Sequence, residues 1–313
     1  MSYEQRPAIL RVAFAKLLHS YGVPLGLFLV IALAALYIFT GRGAPSTADF
    51  PRSAADFMQA SKAEHRLLEL HNRLAAAPDD MQALAESGRL KYQLGPSRYI
   101  EAIADLERAR SLGLADVRTF YYLGVMYQAE GLYDFAAQEY RKFLNNNPGD
   151  FEARMLLAKL CYSSGDFPCA VREYETLLNA RGNDAVLLEN LVLARWKNNE
   201  EYSAALGKLR AAGAEGAFLA DYSEGRINYE LKDYAKAEPF LNRAASAAAS
   251  AGDFTDTAGL LWLAGDAAYK NKDDESAYGY LQGLLKLNPA HEEGKLLLAK
   301  LEKVRKAAEK KKK

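Results

Sequence analysis

Residues 117–150 read VRTFYYLGVMYQAEGLYDFAAQEYRKFLNNNPGD, and residues 151–184 read FEARMLLAKLCYSSGDFPCAVREYETLLNARGND. Both stretches are 34 residues long and align without a gap. With Val117 as position 1, Phe120, Leu123, Gly124 and Tyr127 fall at positions 4, 7, 8 and 11. Ala136, Tyr140, Phe143 and Pro148 fall at 20, 24, 27 and 32. The second copy sets Leu157, Ala158, Cys161, Ala170, Tyr174 and Leu177 in the same frame. Apolar residues three and four apart on either side of a turn near position 15 predict two antiparallel helices per unit. Small residues at 8 and 20 let the two backbones approach, and bulky ones at 4, 7, 24 and 27 fill the space around them. Proline at 32 ends the second helix.

The frame extends in both directions. Residues 81–116 carry Leu84, Gly88, Gly95, Ala102 and Ala109, with two extra residues around Pro96 and Ser97. Residues 185–217 are degenerate: Leu188, Leu191 and Ala204 match, but Arg195 replaces an aromatic. Gly225, Tyr234 and Ala237 match from Phe218, and Leu261, Gly265, Ala277, Leu284 and Pro289 match from Ala258. Residues 249–257 are a short insertion between these two units. Six units thus cover 81–291. Ahead of them, residues 54–77 read as one long helix, so that 54–80 form an N-terminal cap or half repeat. Behind them, 292–313 form a capping helix, with Leu296, Leu297, Leu298, Leu301 and Val304, ending in a Lys-rich tail. Stacked repeats need such caps because each unit buries its apolar face only against neighbours.

Eight recurring positions at a 34-residue period resemble the tetratricopeptide repeat family. The resemblance implies an all-α, right-handed α-solenoid.

The N-terminal region differs in kind. Residues 17–41 hold no formal charge, and residues 23–39 (VPLGLFLVIALAALYIF) are almost wholly apolar. Residues 22–41 make about 30 Å of helix, enough to cross a bilayer. The apolar run and the basic region before it are both longer than in a signal peptide, so an uncleaved transmembrane helix is expected. In residues 1–21, Leu10, Ala13, Phe14, Leu17, Leu18 and Tyr21 form a stripe that Arg6, Arg11 and Lys16 mostly avoid. That pattern fits a basic amphipathic segment at the membrane surface, or a continuation of the anchor helix. Residues 42–53 read as a linker. Three basic side chains precede the anchor and two, Arg42 and Arg52, follow it. This bias places the N-terminus in the cytoplasm and the repeats on the periplasmic, extracytoplasmic side of the inner (cell) membrane.

Formal net charge is zero, but residues 1–22 carry +2, residues 292–313 carry +5 and residues 41–291 carry −7. An acidic body excludes a nucleic-acid groove, which needs clustered cations. No phosphate-cradling loop, nucleophile elbow or metal-ligand spacing occurs, so no enzyme, cofactor, metal or small-molecule substrate is expected. Asp79, Asp80, Asp273 and Asp274 lie at turns and read as helix caps. Cys161 at position 11 and Cys169 at position 19 lie near one turn and are a candidate disulfide. Position 19 points away from position 11 by about one residue's rotation, which opposes that pairing.

The resemblance also implies a concave face built from positions 2, 5, 9 and 12 of the first helices. Here it would be lined by Tyr92, Tyr121, Met155, Lys159, Tyr162, Trp196, Tyr222, Arg226, Tyr229, Trp262 and Tyr269. Aromatic ladders of this kind suit protein partners, although tyrosine at position 12 can also serve packing alone. The function expected is a membrane-tethered scaffold that holds a partner peptide or helix. The resemblance implies roles in export or assembly of envelope proteins, such as an ancillary translocon subunit or a pilus or flagellar factor. The alternative is a cytoplasm-facing adaptor, like the anchored repeat proteins that regulate lipopolysaccharide synthesis. Those end in a cysteine-rich metal domain, which this sequence lacks.

Overall fold

Aspartate starts helix after helix. The carboxylates of Asp150, Asp184, Asp256 and Asp273 accept hydrogen bonds from the backbone N–H three residues on, at 2.9–3.1 Å. Each satisfies a donor that the first helical turn leaves without a partner. The turn inside each hairpin is equally regular. Position 15 adopts a left-handed backbone in five successive hairpins: Gly131, Gly165, Asn199, Lys232 and Lys272 have φ of 76, 82, 56, 62 and 70°. Glycine and asparagine suit that conformation, while the two lysines tolerate it because the flanking helices over-determine the turn.

The computed structural model describes residues 50–248 and 256–312. The predicted transmembrane helix at 22–41 and the segment 1–21 lie outside the described residues. Among the described residues no helix is long and apolar enough to cross a membrane, and no strand occurs.

The chain divides into two compact units, residues 1–114 and 115–313. In the first, α1 (Ala60–Ala76), α2 (Met81–Leu94) and α3 (Tyr99–Ser111) follow in order, with a 3-10 turn at Pro96–Arg98. Ala63 and Leu70 of α1 pack on Ala83 and Leu90 of α2. The helix predicted from residue 54 begins at Ala60. Before it the chain turns, the Ser53 hydroxyl donates to Asp56, and the Met58 N–H donates to Gln93 of α2. Phe50, placed in the linker by sequence, is buried.

The second unit holds five hairpins and a last helix. They are α4 (Arg118–Ala129) with α5 (Tyr133–Asn146), and α6 (Phe151–Ser163) with α7 (Phe167–Arg181). Next come α8 (Ala185–Lys197) with α9 (Ser203–Arg210), and α10 (Gly213–Glu230) with α11 (Tyr234–Ala248). Finally α12 (Thr257–Lys270) pairs with α13 (Asp274–Leu287), and α14 (Glu292–Lys312) packs on α13 through Leu297, Leu298 and Leu301. Inside the hairpins the small residues do what their spacing requires. Ala136, Ala170, Ala237 and Ala277 are fully buried. A Cβ on Gly124 would stand 2.7 Å from the Tyr140 ring, so position 8 must be small wherever position 24 is aromatic.

The fourth frame needs correction. Ala204 is exposed and Ala205 is buried in its place, because the turn before α9 is longer. The second helix, α9, is only eight residues long. Its brevity opens a cleft of about 380 Å³ lined by Leu191, Arg195, Ala204 and Lys208. Helix α10 also starts before Phe218, at Gly213. Gly216 makes the early start feasible, since a Cβ there would sit 2.2 Å from the Leu209 carbonyl oxygen. Arg210 and Arg243 both donate to the buried carboxylate of Asp221, at 2.7 and 2.9 Å, which ties α9 and α11 to α10. Those donors hold the Asp221 carboxyl below its ordinary range in spite of burial.

Cys161 and Cys169 form a disulfide with Cα atoms 5.8 Å apart. The rotation that opposed this pairing is cancelled by the turn. Left-handed Gly165 and the Asp166 cap on the Cys169 N–H lay the start of α7 against the end of α6.

Candidate functional surface

The eleven side chains expected on one face do not share one environment. Tyr92, in the first unit, is buried between Phe57 and Tyr99, with ring centroids 5.7 and 6.0 Å away. Tyr121, in the second unit, is also core. Its ring meets the edges of Tyr122, Tyr140 and Phe143, and its hydroxyl donates to Glu152 at 2.8 Å. Neither offers surface to a partner. The other nine stay accessible: Lys159 is exposed, and Met155, Tyr162, Trp196, Tyr222, Arg226, Tyr229, Trp262 and Tyr269 are half-buried.

The structure gathers part of this set into a cleft of about 520 Å³ in the second unit. Tyr229, Trp262, Asp266 and Lys270 form one side, and Glu293, Leu296, Leu297 and Lys300 of α14 form the other. Each wall is held in place. The Trp262 ring lies 4.9 Å from the His291 ring, and His291 Nδ1 accepts the Gly294 N–H that starts α14. The Tyr229 hydroxyl donates to Asp266, and Lys270 Nζ sits 2.6 Å from the same carboxylate. Burial, with the Asp266 hydrogen bond, pushes the Tyr229 phenol up to about 12, so it stays a donor at neutral pH. Leu296 is 72% exposed at the rim. An exposed leucine beside a half-buried tryptophan offers apolar area that a partner could cover. Lys300 Nζ stands 5.0 Å from the Tyr269 ring centroid, within cation–π range.

The α14 wall escaped sequence reasoning, though a signal was present. Continuing the 34-residue frame past Pro289 sets Glu293, Leu296 and Lys300 at positions 2, 5 and 9. The capping helix occupies the place of one more first helix and presents the same positions.

Farther along the face, Tyr162 packs edge-on against Phe167 and Tyr222 stacks on Phe218, with centroids 5.7 and 6.4 Å apart. Lys197 Nζ lies 4.2 Å from the Trp196 ring centroid. The sulfurs of Cys161 and Cys169 and a carboxylate oxygen of Asp166 lie within 4.8 Å of one another. The sulfurs are bonded to each other, which removes the thiolates a metal would need.

This arrangement of hairpins is similar to solved tetratricopeptide-repeat proteins. The C-terminal part of such a protein from Cytophaga hutchinsonii aligns over 77% of this chain and 99% of its own, with 18% identity and a TM-score of 0.52. A tetratricopeptide repeat protein from Parabacteroides merdae aligns over 79% and 95%, with 15% identity and a TM-score of 0.50. The fold, all-helical among the described residues, resembles that of tetratricopeptide-repeat solenoids. A chain in the structure of Naa15/Naa10 bound to HypK aligns over 77% of this chain, which spans only 37% of that one, with 17% identity and a TM-score of 0.42. No protein-family profile matches the chain, and no curated protein matches it in sequence.

Proposed function

We propose that this chain is a membrane-tethered scaffold that holds a segment of a protein partner against the first-helix face of its second unit. The observation that carries the reading is the cleft between Trp262 and Leu296. It combines aromatic and aliphatic walls with a Tyr229–Asp266–Lys270 network already satisfied inside one wall, so covering the Trp262–Leu296 part gains hydrophobic free energy without stranding those charges. Tetratricopeptide-repeat folds serve as protein-binding scaffolds, and nothing in the cleft resembles a nucleophile–base pair. The reading therefore assigns no catalysis. Residues 22–41 are the tether in this proposal, with the N-terminus cytoplasmic and the repeats periplasmic. The disulfide supports that side, because such bonds persist in oxidising compartments. Within an envelope, a tethered peptide holder suits assembly or export of other envelope proteins.

Two experiments test the reading. Trp262→Ala is expected to weaken partner capture by 2 kcal/mol or more, about thirtyfold. Trp196→Ala should weaken it less, because Trp196 stands outside the cleft. Photo-crosslinking in native membranes, with melting curves of both variants, separates lost binding from lost folding. Unchanged crosslinks for both variants would remove this face from the proposal. For topology, a reporter enzyme active only outside the cytoplasm, fused after Lys313, is expected to be active. An inactive reporter in a stably made fusion would reverse the orientation.

A further inference from the structure

The hairpin that departs from the repeat frame carries a second cleft. Arg195 of α8 holds position 11, where Tyr127 and Cys161 of the two preceding hairpins are buried in the core. The paired helix α9 has eight residues, against 14 in α5 and 15 in α7. Its missing turns leave a space of about 380 Å³ between α7, α8 and α9. Leu188, Leu191 and Arg195 line it from positions 4, 7 and 11 of α8. Those positions face the second helices, so the space is separate from the surface built by positions 2, 5, 9 and 12.

Arg195 is costly as a plain core residue. Its guanidinium Nη2 donates to Glu175 of α7 at 2.5 Å, and Nη1 finds only the Glu201 carbonyl, at 3.5 Å. Its Nε is buried with no hydrogen-bond partner. An aromatic at position 11 avoids that cost. The other polar groups on the lining are unspent as well. Lys208 of α9 is exposed and makes no ion pair among the described residues. The exposed side-chain amides of Asn179 and Asn183 make no hydrogen bond among them either. None of the lining residues is acidic. The carboxylates nearest in sequence are engaged: Glu175 with Arg195, Asp184 with the Leu187 N–H and Glu201 with the Ser203 N–H.

Under these donors the floor is aliphatic, for Leu188, Leu191 and Ala205 are buried. The volume lies in the range of small-ligand clefts, and so does the plan of a few polar groups set on apolar walls. That plan selects a ligand. An amine would be repelled by Lys208 and Arg195, and a neutral hydrocarbon would leave the donors unspent. A carboxylate on an aliphatic chain uses the donors and the floor together. We propose that the cleft between α7 and α9 binds a carboxylate borne on a short aliphatic chain. The acid is held by Lys208, Arg195 Nη1 and the two amides, and the chain lies on Leu188, Leu191 and Ala205. A free aliphatic acid and a glutamate side chain of a protein both offer this chemistry, and the test separates them.

The test reads the melting temperature of the full chain in detergent at constant ionic strength. Sodium hexanoate, at roughly ten times its dissociation constant, is expected to raise it by about 4 °C. Hexylammonium, with the wrong charge, and acetate, without the chain, should not. The second probe is a peptide of one glutamate between two leucines, acetylated and amidated at its ends, with its glutamine counterpart as control. Lys208→Gln should melt like the unaltered protein without a probe, because Lys208 is exposed and unpaired, and should lose the shift of either probe. Lys208→Arg should keep it. Comparing the variants also cancels any effect of the acid on the micelle. A shift with hexanoate alone assigns the cleft to free acids, and a shift with the peptide alone assigns it to an acidic segment of a protein. Three results would overturn the proposal: no shift with either carboxylate, an equal shift with hexylammonium, acetate or the glutamine peptide, or a full shift in Lys208→Gln.

Discussion

Tyr121→Ala is expected to destabilise the second unit by about 3–5 kcal/mol, the usual cost of cutting a fully buried aromatic to alanine. The ring is 2% exposed and touches three other aromatic rings. Removing it leaves a cavity between α4 and α5 and strips Glu152 of a hydrogen-bond donor. In an array of coupled hairpins that loss spreads to the neighbours, so the whole melting transition should move down. Trp262→Ala provides the contrast, with a smaller drop in melting temperature, because its ring is only half-buried at the edge of its core cluster. Equal melts for the Tyr121 and unaltered proteins would mean that Tyr121 belongs to the open face after all.

Reduction of the Cys161–Cys169 bond is expected to lower stability by about 2.5 kcal/mol, from the chain entropy restored to a loop of roughly nine residues. Denaturant unfolding of the unaltered protein with and without reductant measures this directly. The Cys161→Ser, Cys169→Ser double variant should melt near the reduced protein and ignore reductant. If reductant changes nothing and two thiols titrate in protein isolated without it, the bond does not form in the purified protein.

What the sequence disclosed, and what it withheld, divide along a physical line. Contacts inside one hairpin were legible. Gly124 against Tyr140, and alanine at position 20, depend only on the 34-residue frame and on helix geometry. Depth on the open face was not, because it depends on what the following hairpin lays over each position. Tyr121 and Tyr222 both hold position 5. Glu152 reaches over Tyr121 from position 2 of the next hairpin, while Gly259 at the same position offers Tyr222 no cover. The fourth hairpin escaped for a different reason. The start of α10 is fitted against the end of α9 by Gly216 beside the Leu209 carbonyl, a backbone contact that side-chain periodicity does not encode. The disulfide was half legible: proximity followed from spacing, but its feasibility waited on the left-handed turn at Gly165.

The aspartate caps carry an implication for how such a chain can change length. Asp150 and Asp184 each close one hairpin and start the next, with the same bond to the N–H three residues on. Excising residues 151–184 would join Asp150 to Ala185, and Asp150 would then face Leu187 as Asp184 does now. The scar would be chemically identical to the junction it replaced. Gain or loss of a whole hairpin by recombination at these aspartates therefore needs no compensating change at the joint. An array written in this way can adjust its reach in 34-residue steps while each remaining turn keeps its own geometry.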